Sequence, residues 1–184
     1  MNVPVQAMTL GIGPGVFRLG RLHFKLLPIG GNVQFDADPG GLHPTPFNSL
    51  SRKKLVLLNL SGVFSLLLLS VTLLQFEGLV AFYRGIWQLV AGALWHETGY
   101  ELVRQGREAI ADEPWWRLLG LTAAQVAAWV TLPFPLSSGA RALAAAFRGT
   151  WAAAAWESTA NSFMLLLYFA FLASWLVVLF NAFF

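Results

Sequence analysis

The sequence predicts an integral membrane protein: an all-α bundle of about three transmembrane helices with a small cytoplasmic β-hairpin region at its N-terminus. Of its 184 residues, 57% are hydrophobic and only 11% are charged. Soluble domains carry about 25% charged residues, so this chain lacks the polar groups that cover a soluble fold. Three long uncharged stretches separate the charged residues, and each is long enough to span a membrane. The composition therefore argues strongly against a soluble enzyme.

Charged residues bound the three stretches. Lys54 and Glu77 enclose the first, Arg117 and Arg141 enclose the second, and Glu157 precedes the third. About 20 apolar residues, rising about 1.5 Å each, cross a hydrocarbon core of about 30 Å. The predicted spans are about 55–76, 117–136 and 160–182. A buried helix is the alternative for the second stretch, because two prolines interrupt it.

The placement of basic residues predicts the orientation. Eight of the twelve Lys and Arg residues precede the first span or lie between the second and third. The positive-inside rule then places the N-terminus in the cytoplasm and Phe184 on the opposite side. The strongest single feature is the basic run 52–54, directly before the first span. The expected location is a bacterial cytoplasmic (inner) membrane.

The remaining segments divide the chain into a hairpin region with its loop (1–53) and a transmembrane domain (54–184). Leu22, Phe24 and Leu26 alternate with polar residues, which is typical of a half-buried strand. A turn is expected at 28–31, followed by a second strand. Within the transmembrane domain, 78–95 is rich in aromatic residues and is predicted to be an interfacial helix, and 96–116 an exposed loop with some helix.

Small residues predict how the spans pack. Small side chains allow close approach of two membrane helices. They form one face on the first span and another on the second, so the first span is expected to pack on the second. The residues concerned are Ser61, Gly62 and Ser65 on the first span and Ala124, Ala127 and Ala128 on the second.

Four segments together resemble site-2 protease-type intramembrane zinc metalloproteases. They are 10–14 (L-G-I-G-P), 26–33 (L-L-P-I-G-G-N-V), 60–65 (L-S-G-V-F-S) and 132–139 (L-P-F-P-L-S-S-G). In the family the corresponding patterns are G-x-G-P, L-x-P-L-G-G-x-V, A-G-P-x-x-N and L-P-x-P-x-L-D-G. The segments occur in the family's order and cover most of the chain apart from 77–117.

The zinc ligands of that family are not found at the matching positions. The family's H-E-x-x-H lies on a span before the G-x-G-P segment, where two imidazoles one turn apart hold the metal and the Glu activates water. Here no such span precedes Gly11, and His96-Glu97 has Tyr100 where a second His is needed. Ser138 stands at the position of the family's aspartate. The resemblance therefore implies a pseudoprotease with no catalytic residue, metal or cofactor.

The expected function is that of a non-catalytic accessory subunit that binds a partner's transmembrane segment in a larger membrane complex. Its partners would be other integral membrane proteins and the lipid bilayer, and not nucleic acid. The resemblance and the strand edge indicate the candidate partner-binding residues Leu22, Phe24, Leu26, Pro133, Pro135, Ser138 and Gly139. The alternative is one part of an active zinc protease whose catalytic helix is not in this chain. A small subunit of a larger assembly, unrelated in role to its ancestry, is a third possibility.

Overall fold

The computed structural model describes residues 5–35, 50–134, 137–151 and 161–183. The chain divides into two compact units, Met1–Ser51 and Arg52–Phe184. Within the described ranges the first unit contains two strands and the second contains six helices. The expectation of a mostly helical protein with a small N-terminal sheet is confirmed.

The sheet is a hairpin of two long strands, β1 (Val5–Leu19) and β2 (Leu22–Phe35), which pair antiparallel. Leu19 pairs with Leu22, so the turn between them has two residues, Gly20 and Arg21. Gly20 has a φ of +59° and Arg21 does not have a positive φ, the pattern of a type II′ hairpin turn. Residues 28–31, where a turn is expected, lie within β2. The chain nevertheless reverses near them, because 22–24 and 31–33 pair with the same segment 8–10 in opposite directions.

The ladder between β1 and β2 is irregular. Residues 8–10 pair both with 22–24 and with 31–33, and the register shifts repeatedly along the strands. Such bulges bend and twist a hairpin, so the strict alternation of apolar and polar sides is lost. Leu26 is exposed, whereas His23 and Lys25 are half-buried. The predicted single apolar side of this strand does not form.

The helical unit is built around the contact of α1 (Arg52–Leu74) with α4 (Trp115–Thr131). A Cβ added to Gly120 would lie 2.6 Å from Leu74 Cγ, so the C-terminal end of α1 lies at the N-terminal part of α4. The predicted alanine face of α4 is buried, and Ala128 lies against Gly85, which is outside α1. Ala124, Ala127 and Ala128 are each 0% exposed.

The α1 side of this contact differs from the prediction. Ser61, Gly62 and Ser65 are exposed, and a Cβ added to Gly62 would have nothing within 4 Å. At about 100° per residue Ser61 and Ser65 lie on the side of α1 opposite its buried face, and Gly62 lies between the two sides. The buried residues of α1 are Leu55, Val63, Ser70 and Leu74.

Helix α5 (Ser138–Ala146) comes after α4 in the chain and, like α4, packs on α1. Gly139 lies against the carbonyl group of Thr131 at the end of α4, and an added Cβ at Gly149 would lie 3.5 Å from Arg52 Nη2. The α4–α5 pair therefore follows α1 from Leu74 back to Arg52. Helix α4 ends at Thr131 and α5 begins at Ser138; Pro133, just after α4, has no N–H to donate to a continued helix.

Helix α2 (Phe76–Leu94) runs parallel to α4. Glu77 contacts Arg117 near the start of both helices, and Gln88 contacts Gln125 further along. The single residue between α1 and α2, Gln75, has a φ of 54° and a ψ of −132°, a conformation that costs least for glycine. This one residue reverses the direction of the chain.

Helix α3 (His96–Asp112) occupies most of the segment 96–116. The segment was expected as an exposed loop with some helix, and the structure shows a helix of 17 residues. Glu101 pairs with Arg104 at 2.7 Å, and Glu108 pairs with the same guanidinium at 3.5 Å. These ion pairs at one-turn spacing favour helix and lie on its exposed side.

Helix α6 (Asn161–Phe183) packs on α2 and α3. Trp175 Nε1 donates to the carbonyl of Leu89 at 3.0 Å, and Asn181 Nδ2 donates to the Tyr100 hydroxyl at 3.1 Å. Val178 is fully buried in this contact. Most of the other large apolar side chains of α6 are exposed.

Two helices in the described ranges are long and apolar enough to cross a membrane, Arg52–Leu74 and Ser162–Phe183. They correspond to the first and third predicted spans. The second, predicted at 117–136, is shorter, because α4 ends at Thr131 after 17 residues. At about 1.5 Å per residue this is about 26 Å, less than a hydrocarbon core of about 30 Å. The structure therefore supports two candidate spans rather than three.

Candidate functional site

The predicted partner-binding residues belong to two different units. Leu22, Phe24 and Leu26 lie in the hairpin unit, where Phe24 stacks on Phe17 with ring centroids 5.9 Å apart. Pro133, Ser138 and Gly139 lie in the helical unit: Pro133 is exposed, Ser138 is half-buried and Gly139 is buried. Pro135 lies outside the described residues.

The segment that resembles the family's L-D-G motif forms the start of α5. Ser137 is the N-cap: its hydroxyl accepts a hydrogen bond from Ala140 N at 3.0 Å and donates one to the carbonyl of Leu132 at 2.6 Å. Capping of this kind satisfies a backbone N–H that lacks a partner in the first turn. Ser138 is the first helical residue and does not make the capping bond. Gly139 allows α5 to contact the Thr131 carbonyl group, where any Cβ would collide.

The histidine–glutamate pair of α3 has a polar neighbour on α6. His96 Nε2 lies 3.2 Å from the Ser174 hydroxyl, which itself donates to the carbonyl of Ala93 at 2.5 Å. In the described parts of the chain, no group of three or more His, Cys, Asp or Glu side chains is placed to hold a metal ion.

A polar concave surface lies elsewhere, along the line where α2 and α4 meet. We call it the α2–α4 groove; it has a volume of about 460 Å³. Its charged and amide side chains are Glu77, Arg84, Gln88, Arg117 and Gln125.

Hydrogen bonds join the two sides of this groove. Gln125 Nε2 donates to Gln88 Oε1 at 3.0 Å, and this pair is partly buried. At the outer end Arg117 lies 3.4 Å from Glu77 and 3.6 Å from Glu113. Arg117 Nε is buried and has no hydrogen-bond partner. The guanidinium of Arg117 is thus held between two carboxylates.

A second, mainly apolar groove of about 480 Å³ adjoins the first where α3 covers α2 and α4. The two grooves share Gln88, Leu121 and Gln125. The apolar groove continues past Leu102, Ala109 and Leu118 to the ring of Trp175. We call it the α3 groove. A polar opening leading to an apolar channel can accommodate an amphiphile.

Sequence reasoning missed both grooves, although part of the signal was present. Glu77, Arg84 and Gln88 are spaced by seven and four residues, which places them on one side of a helix. Arg117 and Gln125 are eight apart and also share a side. What the sequence did not reveal is that α2 packs along α4, which brings the two polar stripes together.

Comparisons with protein-family models, with curated proteins and with solved structures find no match for this chain.

Proposed function

We propose that this protein is a non-catalytic, site-2-protease-like membrane subunit that binds a partner's transmembrane segment within a larger membrane complex. The observation that carries the proposal is a small-residue face on α1 that the described helices leave exposed. We call this the open α1 face and define it as Ser61, Gly62, Ser65, Leu68 and Thr72, all exposed.

The open α1 face suits a second helix better than it suits lipid. Its hydroxyls donate to carbonyls of their own helix, Ser65 to Ser61 at 2.9 Å and Thr72 to Leu68 at 2.7 Å. They therefore add no unsatisfied donor to an apolar contact. Gly62 leaves a shallow depression, since nothing lies within 4 Å of an added Cβ. Close backbone approach at small residues is a principal source of helix association in bilayers.

In this proposal α1 and α6 cross the membrane, and α4 with α5 forms a third, discontinuous crossing beside α1. Discontinuous helices occur within membranes where protein surrounds the interrupted backbone. At that interruption the Ser137 hydroxyl donates a hydrogen bond to the carbonyl of Leu132, so both groups have a partner. The N-terminus lies in the cytoplasm of a bacterial cell, because the basic run 52–54 directly precedes α1.

The hairpin and the segment 133–139 provide further contacts for the partner in this proposal. Leu26 and Pro133 are exposed in their respective units, which leaves them accessible. An extended strand edge can pair with an extended segment of another chain.

Purification from native membranes after bulky substitution tests the proposal. Gly62→Leu and Ser65→Leu fill the open α1 face, and we expect both to abolish co-migration with a larger complex. Val126→Phe is the control, because it adds bulk at an exposed position of α4. All three variants should keep the melting temperature of the isolated protein.

Two results would overturn the proposal. The first is a failure of the purification test: either the wild-type protein migrates alone, or both leucine variants still co-migrate with the larger complex. The second is zinc at about one equivalent on the purified protein together with chelator-sensitive peptide cleavage, which would favour the protease alternative.

A further inference from the structure

We propose that the α2–α4 groove is a phospholipid site, with the lipid phosphate on Arg84 and one acyl chain in the α3 groove. The proposal is independent of whether a partner protein binds the open α1 face. It rests on the position of Arg84, on the pairing of its charged neighbours and on the apolar channel beside it.

Arg84 is a cation in the part of the bundle that lies alongside a candidate span. Gly120 of α4 packs on Leu74 of α1, and five residues further along α4, Gln125 packs on Gly85. Gly85 and its neighbour Arg84 are therefore level with the section of α1 before Leu74. An ionisable side chain at such a depth is costly unless it has a partner or reaches the headgroup layer, and it commonly marks a functional site.

The charges around Arg84 leave it as the cation available to a ligand. Arg117 is already paired with Glu77 and Glu113, so its guanidinium is not available to a ligand. In the described part of the chain Arg84 makes no ion pair or hydrogen bond, although it is exposed and lines the groove. A guanidinium donates several N–H groups in a planar fork that matches phosphate oxygens. A phosphate diester would supply an oxygen partner for this one guanidinium.

The α3 groove supplies the apolar half of the site. It begins at the shared residues Leu121 and Gln125 and is bordered by α3, α4 and the ring of Trp175. Gly106 faces it with no side chain, and an added Cβ would have nothing within 4 Å. Each methylene group buried there contributes roughly 0.8 kcal/mol. In a diacyl phospholipid the phosphate lies next to the acyl chains, just as the polar α2–α4 groove lies next to the apolar α3 groove.

Lipid retention in native mass spectrometry tests the site. The protein is exchanged in detergent with phosphatidylglycerol, with phosphatidylethanolamine, or with diacylglycerol, which lacks the phosphate. We expect one tightly held molecule of either phospholipid and at least about tenfold weaker binding of diacylglycerol, the scale of a charge-assisted hydrogen bond.

Two variants address the two halves of the site separately. Arg84→Gln should weaken phospholipid binding about tenfold and leave diacylglycerol binding unchanged. Gly106→Leu should weaken all three lipids, because it fills the α3 groove. Arg141→Gln is the matched control: it removes an exposed arginine of α5, outside the grooves, and should retain wild-type binding.

Equal retention of phospholipid by the wild type and Arg84→Gln would overturn the proposal. So would equal affinity for diacylglycerol and phospholipid in the wild type. If a carboxylate of another protein binds Arg84 instead, the wild type will retain a bound polypeptide in place of lipid, and Arg84→Gln will not retain it. That outcome would also overturn the lipid assignment.

Discussion

Trp175 fixes α6 to the rest of the helical unit by placing its indole ring against Gly92. The indole N–H donates to the carbonyl of Leu89 at 3.0 Å, one turn before Gly92. A Cβ added to Gly92 would lie 2.6 Å from Cζ2 of the indole, so the ring occupies the place that a side chain would take. The adjacent Ser174 hydroxyl donates to the carbonyl of Ala93. The end of α2 is therefore one attachment of α6, and α3 is the other.

Gly92→Ala should loosen this attachment. The added methyl group must displace the indole and its hydrogen bond, and we expect a loss of about 1–3 kcal/mol, or several degrees in melting temperature. Circular dichroism of the protein in detergent measures it. Gly106→Ala is the matched control on α3, since its Cβ meets open space. Gly106→Ala should stabilise the protein by up to about 1 kcal/mol, because alanine has a higher helix propensity than glycine. Equal shifts in the two variants would contradict the packing described for Trp175.

Ser137 and Ser138 should respond differently to alanine. Ser137→Ala removes the N-cap of α5 and leaves Ala140 N without its partner, at a cost of about 1 kcal/mol. Ser138→Ala removes a half-buried hydroxyl that is not the cap, and we expect less than half of that loss. Thermal unfolding in detergent compares the two. A larger loss for Ser138→Ala would mean that the position aligned with the family's aspartate carries the structural role.

Gln75→Gly should stabilise the junction between α1 and α2. The φ of 54° with a ψ of −132° at Gln75 is unfavourable for a residue with a Cβ, and glycine removes about 1–2 kcal/mol of that cost. The greater entropy of glycine in the unfolded chain offsets part of the gain. Gln75→Ala keeps the Cβ and should not raise the melting temperature. A rise in Gln75→Ala equal to that in Gln75→Gly would contradict the backbone explanation.

The parts of the fold that sequence reasoning predicted depend on local composition. The apolar runs 55–76 and 160–182 correspond to α1 and α6, because a long uncharged stretch rich in leucine or phenylalanine has few other structures available. The alanines 124, 127 and 128 were assigned to a helix contact and are fully buried. Small residues at one-turn spacing predict a helix contact correctly when another helix packs on that side.

The parts that sequence reasoning missed depend on which elements become neighbours. Both sides of α1 carry small or apolar side chains, so the sequence could not show that Val63 is buried and Ser65 exposed. The Pro-Gly stretch 28–31 predicts a turn, and β2 reverses its pairing direction between residues 24 and 31, but the additional turn at Gly20 depends on strand pairing. The groove around Arg84 exists only because α2 packs along α4. Local patterns do not contain such tertiary information.

The ion pair of Glu101 and Arg104 predicts a pH-dependent contribution to the stability of α3. The hydrogen bond from Arg104, with a second from Gln105, holds the pKa of the Glu101 carboxyl below its ordinary value of 4.5. Because the folded-state pKa is lower than the unfolded one, the stabilisation is present above the unfolded value and is lost as the pH falls through the folded value. Both side chains are exposed, so solvent screens the effect.

Glu101→Gln should therefore lower the melting temperature slightly at neutral pH, and the difference from wild type should shrink as the pH falls below 4.5, the unfolded-state pKa of the carboxyl. Thermal scans in detergent across this range measure it. In the Arg104→Gln background the partner is already gone, so adding Glu101→Gln should change little at any pH. A difference between wild type and Glu101→Gln that persists at low pH, or survives in the Arg104→Gln background, would show that the carboxylate does not act through this ion pair.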